Sequence, residues 1–294
     1  MSKILISGGT GLVGMQLQNL LKSKGHEVSI LTRNPKKANE FSWNIKEGII
    51  DENAFANITH IIHLAGAGIA DKRWSGKRKQ EIIDSRVASA NLLFNYVKKL
   101  NIKLEGFISA SGIGFYGAHT FDTIFKEDDA PYNDFISKVC IDWENAAKQF
   151  ETLNIPVTIL RTGVVLSKEG GALSKMNTPL FLTALGNGKQ YFPWIHIDDL
   201  CKIYAKTINN SWLSGIYNCT TNNHQTNISF TKALAKATGK ILFPLNVPSF
   251  ILKTVLGELS IILLAGSRIS ANKIESVYTF EFPDLKEALE NLLK

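Results

Sequence analysis

The chain has 294 residues, of which 45% are hydrophobic and 20% are charged, and this ordinary composition excludes a disordered or fibrous protein. Lysine and arginine exceed aspartate and glutamate by 33 to 26, so the formal net charge is +7. An excess of this size suits anionic small molecules as easily as nucleic acid. The three cysteines are far apart and odd in number, which indicates neither a disulfide framework nor a zinc site and leads us to expect a cytoplasmic protein.

Short apolar strands alternate with amphipathic helices in the first half of the chain. Apolar residues with helical spacing predict helices at about Leu12–Lys24, Lys77–Leu100 and Phe135–Leu153. Apolar, β-rich runs bounded by turn residues predict buried strands at Lys3–Ser7, His26–Thr32, His60–Ala65, Leu104–Ser111 and Pro156–Arg161. The alternation predicts an α/β fold with a Rossmann-like, doubly wound parallel sheet.

The regular alternation ends after Arg161, where connections rich in glycine, serine and lysine begin. Helical patterns occupy the tail from about Ser229. We predict a Rossmann core of residues 1–165, to which residues 190–225 return, and a smaller, mostly helical substrate lobe of residues 166–189 and 226–294. The apolar segment Phe250–Gly266 is interrupted by two charged residues and is shorter than the roughly 20 residues of a membrane span. We therefore expect no membrane insertion and assign this segment to the core or to a subunit contact, such as that of a homodimer, with a contact to a membrane surface as a further alternative.

The stretch SGGTGLVG, Ser7–Gly14, follows the first strand and opens the first helix. Its glycines permit a tight turn, close approach of the backbone to a pyrophosphate, and close packing of the helix on the strand. The helix N-terminus adds free amides and the positive end of a dipole. This context predicts a dinucleotide site formed by Gly8, Gly9, Thr10, Gly11, Leu12, Val13 and Gly14.

The end of the second predicted strand indicates which dinucleotide binds. Dinucleotide folds place an acid there for a free ribose hydroxyl, or an arginine for a 2′-phosphate. This chain has Thr32 and Arg33, with two further lysines just beyond and no acid at that point. The pattern favours NADP(H) over NAD(H), and the alternative is a solvated basic loop.

Four motifs together resemble the extended short-chain dehydrogenase/reductase superfamily: SGGTGLVG, the HLAG of His63–Gly66, the SASGIGFYG of Ser109–Gly117 and the RTG of Arg161–Gly163. Longer blocks at Gly66–Val87, Trp143–Ala147 and Gly188–Leu200 are similar to its NAD(P)-dependent epimerase/dehydratase type. They are most similar to the "epimerase family" subgroup, which is named for sugar-nucleotide epimerases. The tail, from about 247 to 293, is similar to that subgroup's C-terminal domain of unknown function.

This resemblance spans nearly the whole chain. It implies an NADP(H)-binding core in which Leu64, Ala65 and Gly66 contact the cofactor, and a C-terminal lobe that lies over the nicotinamide. In the superfamily, a serine or threonine orients a substrate oxygen and a tyrosine transfers the proton. A lysine four residues after the tyrosine lowers its pKa and holds the nicotinamide ribose. Ser111 matches the serine, with Ser109 as the alternative register, although either hydroxyl could simply satisfy backbone groups.

Lys138 matches the lysine, but the position four residues earlier holds Asp134 instead of tyrosine. Asp134 could act as a general acid or base, yet a carboxylate beside a lysine has its pKa lowered, and the role of helix N-cap is favoured. Tyr116 is another candidate proton donor, with a structural role beside the sheet edge as the alternative. Tyr132 lies six residues from Lys138, about 240° around a helix, and could replace the tyrosine only if its loop folds back.

Three further clusters of polar residues have both functional and structural interpretations. Asp71–Lys79 contains five basic residues around a tryptophan and could clamp a diphosphate or carboxylate, or could be a solvated helix start. His196 and Asp198 would lie on one side of an alternating strand but have no third metal ligand nearby, and Asp199 is predicted to cap a helix that begins at Leu200. His63 is predicted to be a satisfied core or cofactor-edge histidine.

The residues and the resemblance together predict an NADP-dependent oxidoreductase or epimerase. Its substrate is expected to be a small molecule, anionic or nucleotide-linked, and one tryptophan in a basic cluster is too little to predict nucleic-acid binding. The alternative is a protein that binds NADPH with little or no catalysis, as a sensor or through a partner. The missing tyrosine supports this alternative.

Overall fold

The structure is a computed structural model that describes residues 1–209 and 213–294. The residues between these ranges belong to the predicted return segment 190–225 and lie outside the described residues. The strands are β1 Lys3–Ser7, β2 Glu27–Thr32, β3 Glu40–Asn44, β4 Ile49–Ile50, β5 His60–His63, β6 Gly106–Gly112, β7 Ile124–Phe125, β8 Val157–Thr162, β9 Val164–Ser167, β10 Phe181–Leu182, β11 Trp194–His196, β12 Gly215–Cys219, β13 Ile241–Leu242 and β14 Arg268–Ile269. The helices are α1 Leu12–Ser23, α2 Gly76–Lys99, α3 Phe135–Lys148, α4 Gly171–Met176, α5 Ile197–Asn209, α6 Asn227–Thr238, α7 Ser249–Leu256, α8 Ile261–Leu264, α9 Asn272–Glu275 and α10 Leu285–Leu293.

The main sheet has the order β12-β8-β6-β5-β1-β2-β3-β4. Every neighbouring pair is parallel except β3 and β4 at one edge. The chain runs outward from β1 to β4 in one direction, then returns to β5 and runs outward in the other. The strand order therefore reverses between β1 and β5, which is where such sheets bind ligands beyond the carboxyl ends of their strands. The predicted doubly wound parallel sheet is confirmed.

Both faces of the sheet are covered, as the continuous apolar runs of the strands require. In β1, Ile4 and Ile6 pack into one core cluster and Leu5 into the other, because successive side chains of a strand point to opposite faces. The first cluster takes residues from α1, α5, α6 and α10. The second takes residues from α2 and α3, so the carboxyl edge of the sheet is held rigidly between two helical layers.

The chain after β8 contributes both to this sheet and to smaller two-stranded sheets. β12 pairs with β8 at the edge of the main sheet, whereas β10 and β13 form a separate two-stranded sheet, as do β7 and β14. In the described part of the chain, no helix is long and apolar enough to cross a membrane. Within the same residues, no group of three or more His, Cys, Asp or Glu side chains is arranged to hold a metal.

The predicted cap of α5 is wrong. The helix begins at Ile197, before Asp199, and Asp199 is fully buried. Its carboxylate accepts hydrogen bonds from the Tyr278 hydroxyl at 2.7 Å and from the amides of Glu281 and Phe282 at 2.8 and 3.0 Å. Asp199 therefore ties the C-terminal segment to α5, because a carboxylate with several oriented donors can be buried at little cost.

Candidate cofactor and active site

The glycine-rich loop lies at the carboxyl end of β1, beside the point where the strand order reverses. Gly8 has a φ of +76°, and a Cβ on it would lie 2.7 Å from the carbonyl carbon of Leu64. A Cβ on Gly14 would lie 2.5 Å from the carbonyl oxygen of Gly8. These contacts are with backbone atoms, which cannot move aside as a flexible side chain could, so both positions require glycine. The loop thus packs against the residues that follow β5 as tightly as a backbone can.

The first turn of α1 is open to an anionic ligand. Gly11 is the N-cap and provides no side-chain hydrogen bond to the helix. The amides of Leu12, Val13 and Gly14 therefore depend on another acceptor, and a phosphate at a helix N-terminus is a common one. This cradle, formed by the glycine-rich loop and the first turn of α1, has no room for a side chain at Gly8 or Gly14. It fits the diphosphate of a dinucleotide.

The other predicted cofactor residues surround this loop at the same edge of the sheet. Thr32 is the last residue of β2, and Arg33 follows it and is exposed. Leu64, Ala65 and Gly66 follow β5 directly. Because β2, β1 and β5 are adjacent and parallel, these residues flank the glycine loop on both sides.

Helix α3 turns the Lys138 side chain away from the end of β6, so the structure does not support the expectation that Lys138 holds the nicotinamide ribose. The Lys138 side chain is 65% exposed and forms an ion pair with Asp142 at 3.0 Å. The face of α3 that meets the end of β6 instead carries Ile136 and Cys140. A Cβ on Gly114 would lie 2.2 Å from Ile136 Cγ2, and a Cβ on Gly112 would lie 3.7 Å from Cys140 Sγ.

Ile136 and Cys140, which are four residues apart, therefore face the end of β6. Lys138 is offset from Cys140 by two residues, or about 200° around the helix. Isoleucine carries no proton to transfer, and burial raises the pKa of the Cys140 thiol to about 12. Neither side chain is a proton donor near neutral pH.

Asp134 is the N-cap of α3, as predicted. Its two carboxylate oxygens accept hydrogen bonds of 2.8 Å each, one from the amide of Ser137 and one from the amide of Ala118. These bonds satisfy a helix donor and anchor the loop that follows β6. Because both oxygens are engaged, the alternative role of Asp134 as general acid or base is not supported.

Tyr116 is enclosed, so its role as proton donor is also corrected. Its side chain is 1% exposed, and its hydroxyl donates to Asn218 Oδ1 at 2.8 Å while accepting from Arg161 Nη1 at 2.9 Å. Burial raises the pKa of Tyr116 to about 12. Its position agrees with the alternative prediction, a structural aromatic residue beside the sheet edge. Tyr132 stays in the loop before α3, where its ring contacts His119.

Ser111 belongs to a buried ionic network that no sequence argument identified. Its hydroxyl donates to Glu144 Oε1 at 2.8 Å. Arg161 donates from Nε and Nη2 to the two oxygens of Glu144 at 2.8 and 2.9 Å, and both side chains are only 2% exposed. The network joins the carboxyl ends of β6 and β8 to helix α3, so it fixes the carboxyl edge of the sheet. Ser109, the alternative serine, donates only to the carbonyl of Ala110.

Two signals in the sequence could have pointed to this network. Arg161 is a charged residue in the buried strand β8, and Glu144 lies on the buried face of α3. A charged residue at a buried position needs a partner of opposite charge. Pairing the two residues nevertheless requires knowing that β8 lies next to β6 and beneath α3.

A second set of buried polar side chains lies beneath the residues that follow β5. His63 is fully buried, and its Nδ1 is 2.7 Å from Ser7 Oγ. Desolvation lowers the pKa of His63 to about 4, so it is a satisfied neutral histidine, as predicted. Arg86 donates from Nη1 to the carbonyls of Ala67 and Ile82, and burial lowers its pKa to about 10. Arg86 thereby braces the loop that begins at Gly66.

The basic stretch Asp71–Lys79 is partly a contact with the C-terminal segment. Trp74 is buried against Phe135, and Lys79 forms an ion pair with Glu258 at 2.6 Å. Arg78 is buried and donates to the carbonyl of Gly68 and to Glu81. The contacts hold the C-terminal segment over the loop between β5 and α2, beside the carboxyl edge of the sheet.

Comparison with known proteins identifies the family. The NAD dependent epimerase/dehydratase family matches residues 4–220, and a domain of unknown function (DUF1731) matches residues 247–292. An epimerase family protein of Staphylococcus aureus is 36% identical over 303 residues, covering 100% of both chains. The crystal structure of a human epimerase family protein with NADPH has a TM-score of 0.87 at 28% identity and covers 99% of this chain and 98% of its own.

A nucleoside-diphosphate sugar epimerase from Corynebacterium glutamicum is also similar, with a TM-score of 0.81 at 29% identity. The match covers 99% of this chain but 58% of that longer chain. The family match extends over more than two thirds of the chain, and the Staphylococcus aureus relative aligns from end to end. The chain therefore belongs to the NAD dependent epimerase/dehydratase family and carries its C-terminal DUF1731 domain.

Proposed function

We propose that the protein binds NADP(H) at the glycine-rich loop and acts as an oxidoreductase or epimerase on a small anionic substrate. The observation that carries the proposal is the cradle at the junction of β1 and β5, where backbone contacts exclude any side chain at Gly8 and Gly14. The exposed Arg33 at the end of β2 supports a 2′-phosphate. The NADPH in the similar human structure also supports this choice.

Each part of the site has a distinct task in this proposal. The amides of Leu12 and Val13 bind the diphosphate, and the Arg33 guanidinium binds the 2′-phosphate with charge-assisted hydrogen bonds. The residues after β5, braced by Arg86, support the nicotinamide half, and the buried network of Ser111, Glu144 and Arg161 fixes the neighbouring strand ends. The bound cofactor supplies or accepts the hydride. The substrate is expected to be anionic because the basic stretch Asp71–Lys79 lies beside the carboxyl edge of the sheet.

Arg33→Ala is expected to weaken NADPH binding by about 10- to 100-fold, because a charge-assisted contact with phosphate contributes about 1.5 to 3 kcal/mol. NADH binding should change little, since NADH lacks the 2′-phosphate. Fluorescence titration of both cofactors measures the two affinities, and Lys24→Ala, an exposed lysine at the far end of α1, is the matched control. Equal affinities of the unaltered protein for NADPH and NADH would contradict the cofactor assignment.

A second function is favoured by one observation: Ile136 and Cys140 occupy the helix face where a tyrosine and a lysine would supply the proton. A protein with this face could bind NADPH without turning it over and act as a sensor. Single-turnover oxidation of bound NADPH, measured against carbonyl compounds and sugar nucleotides, distinguishes the two functions. Oxidation by any of these compounds favours the enzyme. Tight NADPH binding with no oxidation by the whole panel favours the sensor.

A further inference from the structure

A cluster of large apolar side chains is exposed to solvent around the pair of strands β10 and β13. Leu180, Ile241 and Leu245 are 77%, 72% and 70% exposed, and Phe181 and Phe243 are also exposed. The rings of Phe181 and Phe243 are 5.5 Å apart, and the amide of Phe243 donates to the carbonyl of Leu182 at 2.8 Å. These five side chains form one apolar patch, and contiguous exposed apolar surface of this kind marks an interaction site.

Helix α7 extends this apolar surface along the chain. The helix follows Val247, whose amide donates to the carbonyl of Ala184 beside β10. Its sequence is SFILKTVL, and none of its residues is buried. Phe250 and Val255 are 68% and 60% exposed. Leu256, at the end of the helix, packs partly against the core cluster that includes Leu259, whereas the exposed Phe250 and Val255 gain little from the protein itself, since helices are stabilised mainly by packing of their apolar face.

The stretch of sequence that contains the patch and α7 carries most of the excess positive charge. Residues 170–257 contain eight lysines, no arginine and two aspartates, so six of the seven excess positive charges lie there. Both aspartates are engaged: Asp199 by the C-terminal segment and Asp198 by Gln16. In the described part of the chain, the exposed ammonium groups without an acidic partner include those of Lys175, Lys189, Lys232, Lys236 and Lys253.

We propose that the apolar patch and α7 bind the surface of an anionic lipid bilayer. Exposed aromatic and aliphatic side chains enter the boundary between headgroups and acyl chains, while lysines around them are attracted to anionic headgroups by about 1 kcal/mol each. The protein rests on the bilayer and no segment crosses it. The positive charge disfavours a second copy of this chain as occupant, because a two-fold contact would bring the same lysines together.

Co-sedimentation with vesicles tests this surface. Vesicles of phosphatidylcholine with phosphatidylglycerol should bind the protein at least about 10-fold more tightly than pure phosphatidylcholine, and raising the salt concentration should weaken this binding. The double variant Phe243→Ser, Phe250→Ser should lose about 10-fold or more in vesicle affinity. Ile49→Ser, which alters an exposed apolar residue on β4 at the far edge of the main sheet, should bind as the unaltered protein does.

The double variant Lys236→Glu, Lys253→Glu tests the contribution of the positive charge. Its control is the double variant Lys24→Glu, Lys46→Glu, which has the same net charge but is altered outside residues 170–257. Only the first pair should weaken vesicle binding. Unchanged thermal unfolding shows that each variant is folded. Equal binding to neutral and anionic vesicles, or equal binding by the serine variant, would overturn the proposal. Dimer formation that the serine variant abolishes, measured by light scattering without lipid, would instead assign the patch to a second copy.

Discussion

Replacing Arg161 with methionine is expected to lower the free energy of unfolding by about 3 to 5 kcal/mol, because it leaves the Glu144 carboxylate buried and unpaired. Glu144 is 2% exposed and receives two hydrogen bonds from Arg161 and one from Ser111. The change also removes a donor to the Tyr116 hydroxyl. Urea denaturation of the purified variant measures the loss.

The double variant Arg161→Met, Glu144→Leu distinguishes two causes of the lower stability: an unpaired buried charge and a simple loss of contacts. Removing both charges is expected to restore much of the stability, since replacing a buried ion pair with apolar residues is often neutral. Lys99→Met is the exposed control, because it breaks only the surface pair with Glu52 and should change the free energy of unfolding little. A double variant as unstable as Arg161→Met alone would contradict the assignment of the cost to the unpaired carboxylate.

Gly14→Ala is expected to reduce NADPH affinity on the order of 100-fold and to destabilise the protein. The added Cβ would lie 2.5 Å from the Gly8 carbonyl oxygen and 2.7 Å from Gly9 Cα, so α1 must move away from the loop it packs against. Overpacking of this kind costs about 1 to 3 kcal/mol, and the displaced amides lose their alignment with the diphosphate. Fluorescence titration and thermal unfolding measure the two effects.

Gly76→Ala is the matched control, because a Cβ on this glycine at the start of α2 meets no atom within 4 Å. It should leave NADPH affinity unchanged and stabilise the protein slightly, since alanine is the better helix former. NADPH affinity that is the same in Gly14→Ala and in the unaltered protein would show that the cofactor does not use the glycine-rich loop.

The alternating part of the fold was predictable because its elements are long and their patterns are local. The five predicted strands and the three helices of the first half all occur, with ends that shift by a few residues. The helix predicted at Phe135–Leu153 ends at Lys148 and continues as a 3₁₀ turn. The two-residue strands such as β10 and β13 were missed, because a strand this short is defined by its neighbour and has no periodicity of its own.

The candidate active site was predictable only in part, and the errors share one cause. Lys138 was assigned to the site from its residue type alone, since lysine is the residue that the superfamily's mechanism requires. The phase of α3 is set by which residues the sheet buries, and this phase turns Cys140 towards Gly112 and Lys138 towards solvent. Tyr116 matched its motif in sequence as well, but partners from β8 and β12 enclose its hydroxyl.

The sequence by itself determined the glycine-rich loop, the doubly wound parallel sheet, the N-cap at Asp134 and the family, because each depends on residues that are neighbours along the chain. Only the tertiary structure decided that Glu144 and Arg161 meet at Ser111, that Asp199 holds the C-terminal segment, and that α7 buries none of its apolar residues. These features join residues that are distant in sequence, and their energies depend on burial, which no local pattern specifies.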